Sequence, residues 1–151
     1  MKTWIAAAAL SVMASVGVAG DAGITQVKAA GDVSSTMDAL EAAVTGAGAQ
    51  VFARVDHAGG AKAVGEDLAP SQLLIFGNPK LGTPAMQDDA LAGLFLPLKV
   101  LVYRDGDGQV WLAYESPAKT FEGLSGVPAD AAYVQTMTGA LAKLTGKASG
   151  M

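Results

Sequence analysis

The stretch from Leu98 to Glu115 reads L-K-V-L-V-Y-R-D-G-D-G-Q-V-W-L-A-Y-E. Two runs rich in β-branched and aromatic side chains, Leu98 to Arg104 and Gln109 to Glu115, flank Asp105-Gly106-Asp107-Gly108. Alternating runs around a D-G turn predict an antiparallel hairpin. Period-two alternation sets Trp111 on the face opposite Tyr114. One face of the hairpin is therefore aromatic and suited to line a ligand groove or to bury itself in a partner subunit. On that reading, a charge placed at Trp111 or Tyr114 should dissociate an assembly.

The segments upstream alternate strand and helix patterns. Ile24 to Ala30 is a loose first strand. From Asp32 the run D-V-S-S-T-M-D-A-L-E-A-A-V predicts a helix with Ser or Asp as N-cap, Val33, Met37, Leu40 and Val44 at helical spacing, and Gly46 and Gly48 at its end. Val51 to Val55 is a strand, and Asp56 stands where a helix from Ala58 to Leu68, closed by Pro70, needs its cap. Leu73 to Phe76 is a continuous apolar run of the kind found in covered or central strands. Gly77-Asn78-Pro79 then supplies a break, a cap and a proline fit for a first helical position.

Pro84 to Leu94 predicts a short helix with Met86, Ala90, Leu91 and Leu94 inward. After the hairpin, Ala129 to Leu144 places Tyr133, Val134, Met137, Leu141 and Leu144 on one stripe, and Gly146 ends it. This order predicts one α+β domain over residues 23–146, two layers with a mixed or antiparallel sheet and helices mainly on one face, followed by a flexible tail, 147–151. Fourteen residues separate Asp56 from Ser71, room for a parallel crossover between their strands.

Composition narrows the function. The chain has 151 residues, one histidine and no cysteine, with 14 acidic and 10 basic residues for a net charge of -4. Thiolate metal sites, cysteine nucleophiles and disulfide staples are excluded. Scattered basic residues on an acidic chain argue against nucleic acid as a partner. Residues 1–22 read as a signal peptide: Lys2, an uncharged stretch from Trp4 to Ala19, then small residues that allow cleavage after Ala19, Gly20 or Ala22. The expected product is a periplasmic or secreted protein with no stable membrane insertion.

Candidate chemistry is sparse. His57 follows a strand at the first turn of a predicted helix, where the dipole favours a neutral ring able to accept a proton. Its commoner role is to hydrogen-bond loop backbone and pack. One histidine cannot build a metal site of the usual kind. Phe76 to Pro84 (F-G-N-P-K-L-G-T-P) lies between a strand and a helix, where Gly77, Asn78, Lys80 and Thr83 could bind a small anion. It lacks the lysine order of a phosphate loop. Asp88 and Asp89 point about 100° apart on a helix and read as solvated charge. Asp105-Gly106-Asp107-Gly108 lacks the remaining ligands of a calcium loop. Met37, Met86 and Met137 fit core packing better than a soft-metal site, and no G-x-S-x-G is present. No metal and no cofactor is assigned.

V-F-A-R-V-D-H, L-L-I-F-G-N-P, G-T-P-A-M-Q and L-P-L-K-V-L-V-Y stand in this order. Over about Asp32 to Glu122 the chain resembles the domain-of-unknown-function family 302. The resemblance implies a TATA-box-binding-protein-like α+β fold, with a strand, a helix, four strands and a helix at its core. It also implies a homodimer, and it places Asp56, His57, Phe76, Gly77, Asn78, Pro79, Lys99 and Tyr114 on signature positions, without an activity.

The function expected from the sequence is an exported small-ligand or anion binding module, acting as a homodimer, with a site formed by Asp56, His57, Gly77, Asn78, Lys80 and Thr83. Replacing His57 or Asn78 should then abolish binding and spare the melting temperature. The rivals are a hydrolase or isomerase with His57 as general base, assisted by Asp56 or Lys80, and a structural partner in a periplasmic assembly.

Overall fold

A computed structural model of the protein describes residues 18–19 and 23–151. The expected signal peptide lies outside these residues, apart from Val18 and Ala19. The elements in chain order are β1 (Val18–Ala19), β2 (Ile24–Ala29), α1 (Val33–Gly46), β3 (Gln50–Asp56), α2 (His57–Ala63) and β4 (Ser71–Gly77). There follow α3 (Pro79–Asp88), a 3-10 turn (Ala90–Leu94), β5 (Leu98–Arg104), β6 (Val110–Glu115), α4 (Pro117–Thr120) and α5 (Ala132–Ala148). The sheet order is β1-β2-β6-β5-β4-β3, and every pairing is antiparallel.

The hairpin forms as its sequence dictates. Asp105 Oδ1 accepts from the amides of Asp107 and Gln109 at 3.0 and 2.9 Å, and Gly108 takes φ +84°, a left-handed conformation that glycine adopts without strain. The resulting register sets Tyr103 against Trp111 and Leu101 against Ala113. Asp105 Oδ2 also accepts from the Trp111 indole at 2.7 Å, and Lys28 Nζ stands 5.4 Å from the Trp111 ring centre.

Helix α1 starts at the expected cap, Asp32, which accepts from the Ser35 amide at 2.8 Å. Its spacing turns Val33, Met37, Leu40 and Val44 onto the sheet, where they meet Leu74, Phe76, Val100, Val102 and Leu112, with Leu141 and Leu144 of α5 beside them. Burying each of the larger side chains stabilises by about 1.5–3 kcal/mol. A second cluster gathers Ala85, Phe121, Leu124, Val134 and Met137, with Phe95 edge-on to Phe121 at 6.3 Å. Arg54 of edge strand β3 reaches back to Asp38 of α1 at 2.6 Å.

The structure departs from the sequence reading at several places. The parallel crossover for which there is room between Asp56 and Ser71 does not form. Helix α2 ends at Ala63 rather than Leu68, and Gly65, at φ +82°, turns the chain. Seven helical residues span about 10 Å, whereas seven strand residues span about 24 Å. The helix by itself does not carry the chain back to the start of β3, and β4 begins where β3 ends, Asp56 opposite Gln72 and Gln50 opposite Gly77.

The expected helix from Pro84 to Leu94 is instead the end of α3 followed by a 3-10 turn, restarted by Asp89, which accepts from the Leu91 amide. Met86, Leu91 and Leu94 point outward, at 42, 57 and 77% exposure. Finally, α5 runs through Gly146 to Ala148, because Ala148 packs in the core.

Helices α1 and α5 occupy one face of the sheet. The other face carries half-buried Leu73, Ile75, Leu101, Tyr103 and Trp111, and α2, beside β4, buries no residue. Tyr114 is on the covered face, 8% exposed, so it belongs to the core and not to the aromatic face.

Candidate functional site

Strand β4 ends at Gly77, and the next three residues build the start of α3. Asn78 is its N-cap: Oδ1 accepts from the Lys80 amide at 3.0 Å, and the carbonyl accepts from the amides of Leu81 and Gly82 at 2.9 and 3.0 Å. Pro79 at the first helical position has no amide proton to leave unpaired. The first turn of α3 thus offers no free N–H, and the amide-bound anion expected here has no donors to bind.

What the segment does form is a groove of about 280 Å³ between α3, the end of β4 and the chain entering β5. Leu81, Gly82 and Met86 supply the α3 side, Leu96 and Pro97 the opposite wall, and Phe52 the rim, while Met137 of α5 also lines it. Phe52 reaches the rim because the β3 ladder shifts register between Val51 and Ala53, leaving its ring half exposed. Lys99 holds the Leu96-Pro97 wall by donating to the carbonyls of Phe95 and Pro97 at 3.1 and 3.4 Å.

Two glycines keep the groove open. A Cβ on Gly77 would stand 3.3 Å from the Phe52 ring and 3.5 Å from Pro97, and one on Gly82 would stand 3.5 Å from Leu96. The walls are carbon, with Asn78 and Thr83 as the polar groups on the rim.

The expected site residues divide into two places. Gly77, Asn78 and Thr83 line this groove, and Lys80 stands one residue from Leu81 on the neighbouring side of α3. Asp56 and His57 lie at the other end of the β3/β4 ladder, about 20 Å away along six residues of strand. Asp56 spends its carboxylate as the cap of α2, accepting from the Gly59 amide at 2.9 Å. His57 is exposed. The composite site of the sequence reading therefore does not assemble: Lys80 lies at the far end of the ladder from His57, and Asp56, though adjacent to it, caps α2.

Phe52, Leu81, Met86, Leu96, Pro97 and Met137 complete the groove and were not among the expected site residues. Nothing local marks them, since a register shift, a wall and a floor from four separate segments exist only after folding. Three groups elsewhere have shifted pKa values, and at Asp32 the cap hydrogen bond from the Ser35 amide holds the carboxyl below its ordinary value. The indole N–H of Trp111 holds the Asp105 carboxyl below its ordinary value, with backbone amides helping. Tyr133 is pushed up to about 12 by burial and by the carboxylate of Asp88, to which its hydroxyl donates at 2.8 Å.

The model of the family described as "Domain of unknown function DUF302" matches residues 24–144. The chain belongs to this family. A solved DUF302 protein, an uncharacterised conserved protein from Bacillus stearothermophilus, shares the fold with a TM-score of 0.75 at 21% identity, over 83% of this chain and 98% of that one. The α+β architecture expected from the sequence is thereby that of DUF302 structures.

The chain is also 41% identical over 120 residues to a protein named fluoride-specific ion channel FluC 1 from Brucella suis, and equally to one named FluC 2 from Brucella melitensis. The match takes 79% of this chain but 47 and 44% of those proteins, so the chain spans under half the length of these curated relatives. No helix among its described residues is long and apolar enough to cross a membrane.

Several of the residues that the family resemblance singles out have structural tasks in this fold. Asp56 and Asn78 are caps, Pro79 starts α3, Phe76 and Tyr114 are core, Gly77 admits the Phe52 ring, and Lys99 clamps the groove wall.

Proposed function

We propose that this DUF302 protein is an exported small-molecule binding module whose site is the groove at the start of α3, and that it acts as a homodimer. The observation that carries the reading is the groove itself. It is carbon-walled, kept open by two glycines, and braced by Lys99, a concave apolar site with a few polar groups on its rim. The amides that would favour a bare anion are all engaged, so the ligand needs an apolar part. The channel activity named for the Brucella relatives is not extended to this chain, which spans less than half their length.

The test is binding of the neutral apolar fluorophore N-phenyl-1-naphthylamine to the purified protein and to Gly82→Leu. The added side chain enters the groove, and replacing a helical glycine favours the helix by up to about 1 kcal/mol. Binding should fall at least tenfold with the melting temperature unchanged or raised, while His57→Ala leaves both as they were. Equal binding by Gly82→Leu would remove the groove from consideration.

The homodimer draws its support from the face opposite the helices, where Leu73, Ile75, Leu101, Tyr103 and Trp111 form a band across three strands. A second copy laid on that band satisfies it by isologous packing.

A further inference from the structure

On the far side of Leu81 lies a second and larger depression of about 560 Å³, bounded by α3, the middle of α5 and the chain leaving α1. It shares Gly77, Asn78, Leu81 and Leu98 with the first groove, so the two adjoin around the first turn of α3. Gly139 and Ala140 leave room on the α5 side, and a Cβ on Gly139 would meet nothing within 4 Å.

Two lysines line this depression, Lys80 from α3 and Lys143 from α5, and both are exposed. Neither takes part in the ion pairs among the described residues, which engage Arg54 and Lys119. No carboxylate lines either groove. In a chain where acidic residues outnumber basic ones, 14 to 10, two lysines and no carboxylate in the lining of one apolar hollow bias its potential towards the sign opposite to that of the whole molecule.

We infer that the joined grooves take one amphipathic anion of the fatty-carboxylate class, its hydrocarbon chain against Leu81, Leu96 and Phe52 and its head group beside Lys80 and Lys143. This rests on the reading of the first groove as a binding site and adds the chemistry of its ligand. An apolar chain removes the water that screens the head group, and two lysine side chains bring donors that the closed amides of α3 do not.

The experiment compares octanoate with octanol, same chain and different head, for displacement of N-phenyl-1-naphthylamine from the full chain and from the double variant Lys80→Met, Lys143→Met. Methionine keeps the apolar stem and removes the charge. The expected result is that octanoate binds the unmodified protein about tenfold more tightly than octanol, a preference that shrinks in 0.5 M salt and closes in the double variant. If octanoate and octanol bind alike, or if the double variant keeps the preference, the carboxylate assignment is overturned while the groove stands. If neither displaces the fluorophore although Gly82→Leu still abolishes its binding, the assignment again falls and the groove survives. Absence of any binding, fluorophore included, would overturn both.

Discussion

Asp105 does the work of several residues. Its carboxylate closes the hairpin turn through two backbone amides and fixes the Trp111 indole, which sets one edge of the open sheet face. These donors favour the ionised form and depress its pKa, the Trp111 hydrogen bond most. A depressed carboxyl adds stability that is present above its ordinary value of 3.8 and is lost as the pH falls below it. Asp105→Asn should therefore melt lower than the parent at pH 7, and the gap should narrow steadily below pH 3.8. Thermal melts at a series of pH values would show it; a gap independent of pH would mean that the charge is irrelevant.

At the scale of elements, α3 shows how a residue that looked like a ligand turns out to be a cap. Asn78 closes the Lys80 amide with its side chain. Replacing an Asn N-cap with Ala typically costs about 1 kcal/mol, so Asn78→Ala should lose about that much in urea unfolding. This reverses the expectation drawn from the sequence that the same substitution spares stability. Urea unfolding at neutral pH with no ligand present decides between the two.

For the whole molecule, the distribution of helices is the decisive feature. Packing α1 and α5 on one face buries Leu74, Phe76, Val102 and Leu112 and leaves the reverse face apolar but uncovered. If two copies meet there, Trp111→Glu places a charge in the contact and should convert the dimer to monomer in native mass spectrometry. Tyr114→Glu should instead unfold the chain, because Tyr114 lies in the core. A parent protein that is monomeric at tens of micromolar would rule out the dimer, and a Trp111→Glu protein that stays dimeric would move the contact elsewhere.

Local chemistry made much of this readable from the sequence alone. The D-G-D-G turn between alternating runs dictates the hairpin, Asp32, Asp56 and Asn78 dictate three helix starts, and the spacing of Val33, Met37, Leu40 and Val44 dictates the buried side of α1. Each of these depends on neighbours within a few residues, so propensity and periodicity suffice.

Only the tertiary structure decided how β3 and β4 pair, since the fourteen residues between Asp56 and Ser71 are long enough for either direction. The same pairing put His57 at one end of the sheet and Gly77 at the other, separating residues that sequence order had suggested as one site. The groove draws Phe52, Leu81, Leu96 and Met137 from four segments. A site of that kind is defined by register and packing between distant parts of the chain, and neither is encoded in any one stretch of it.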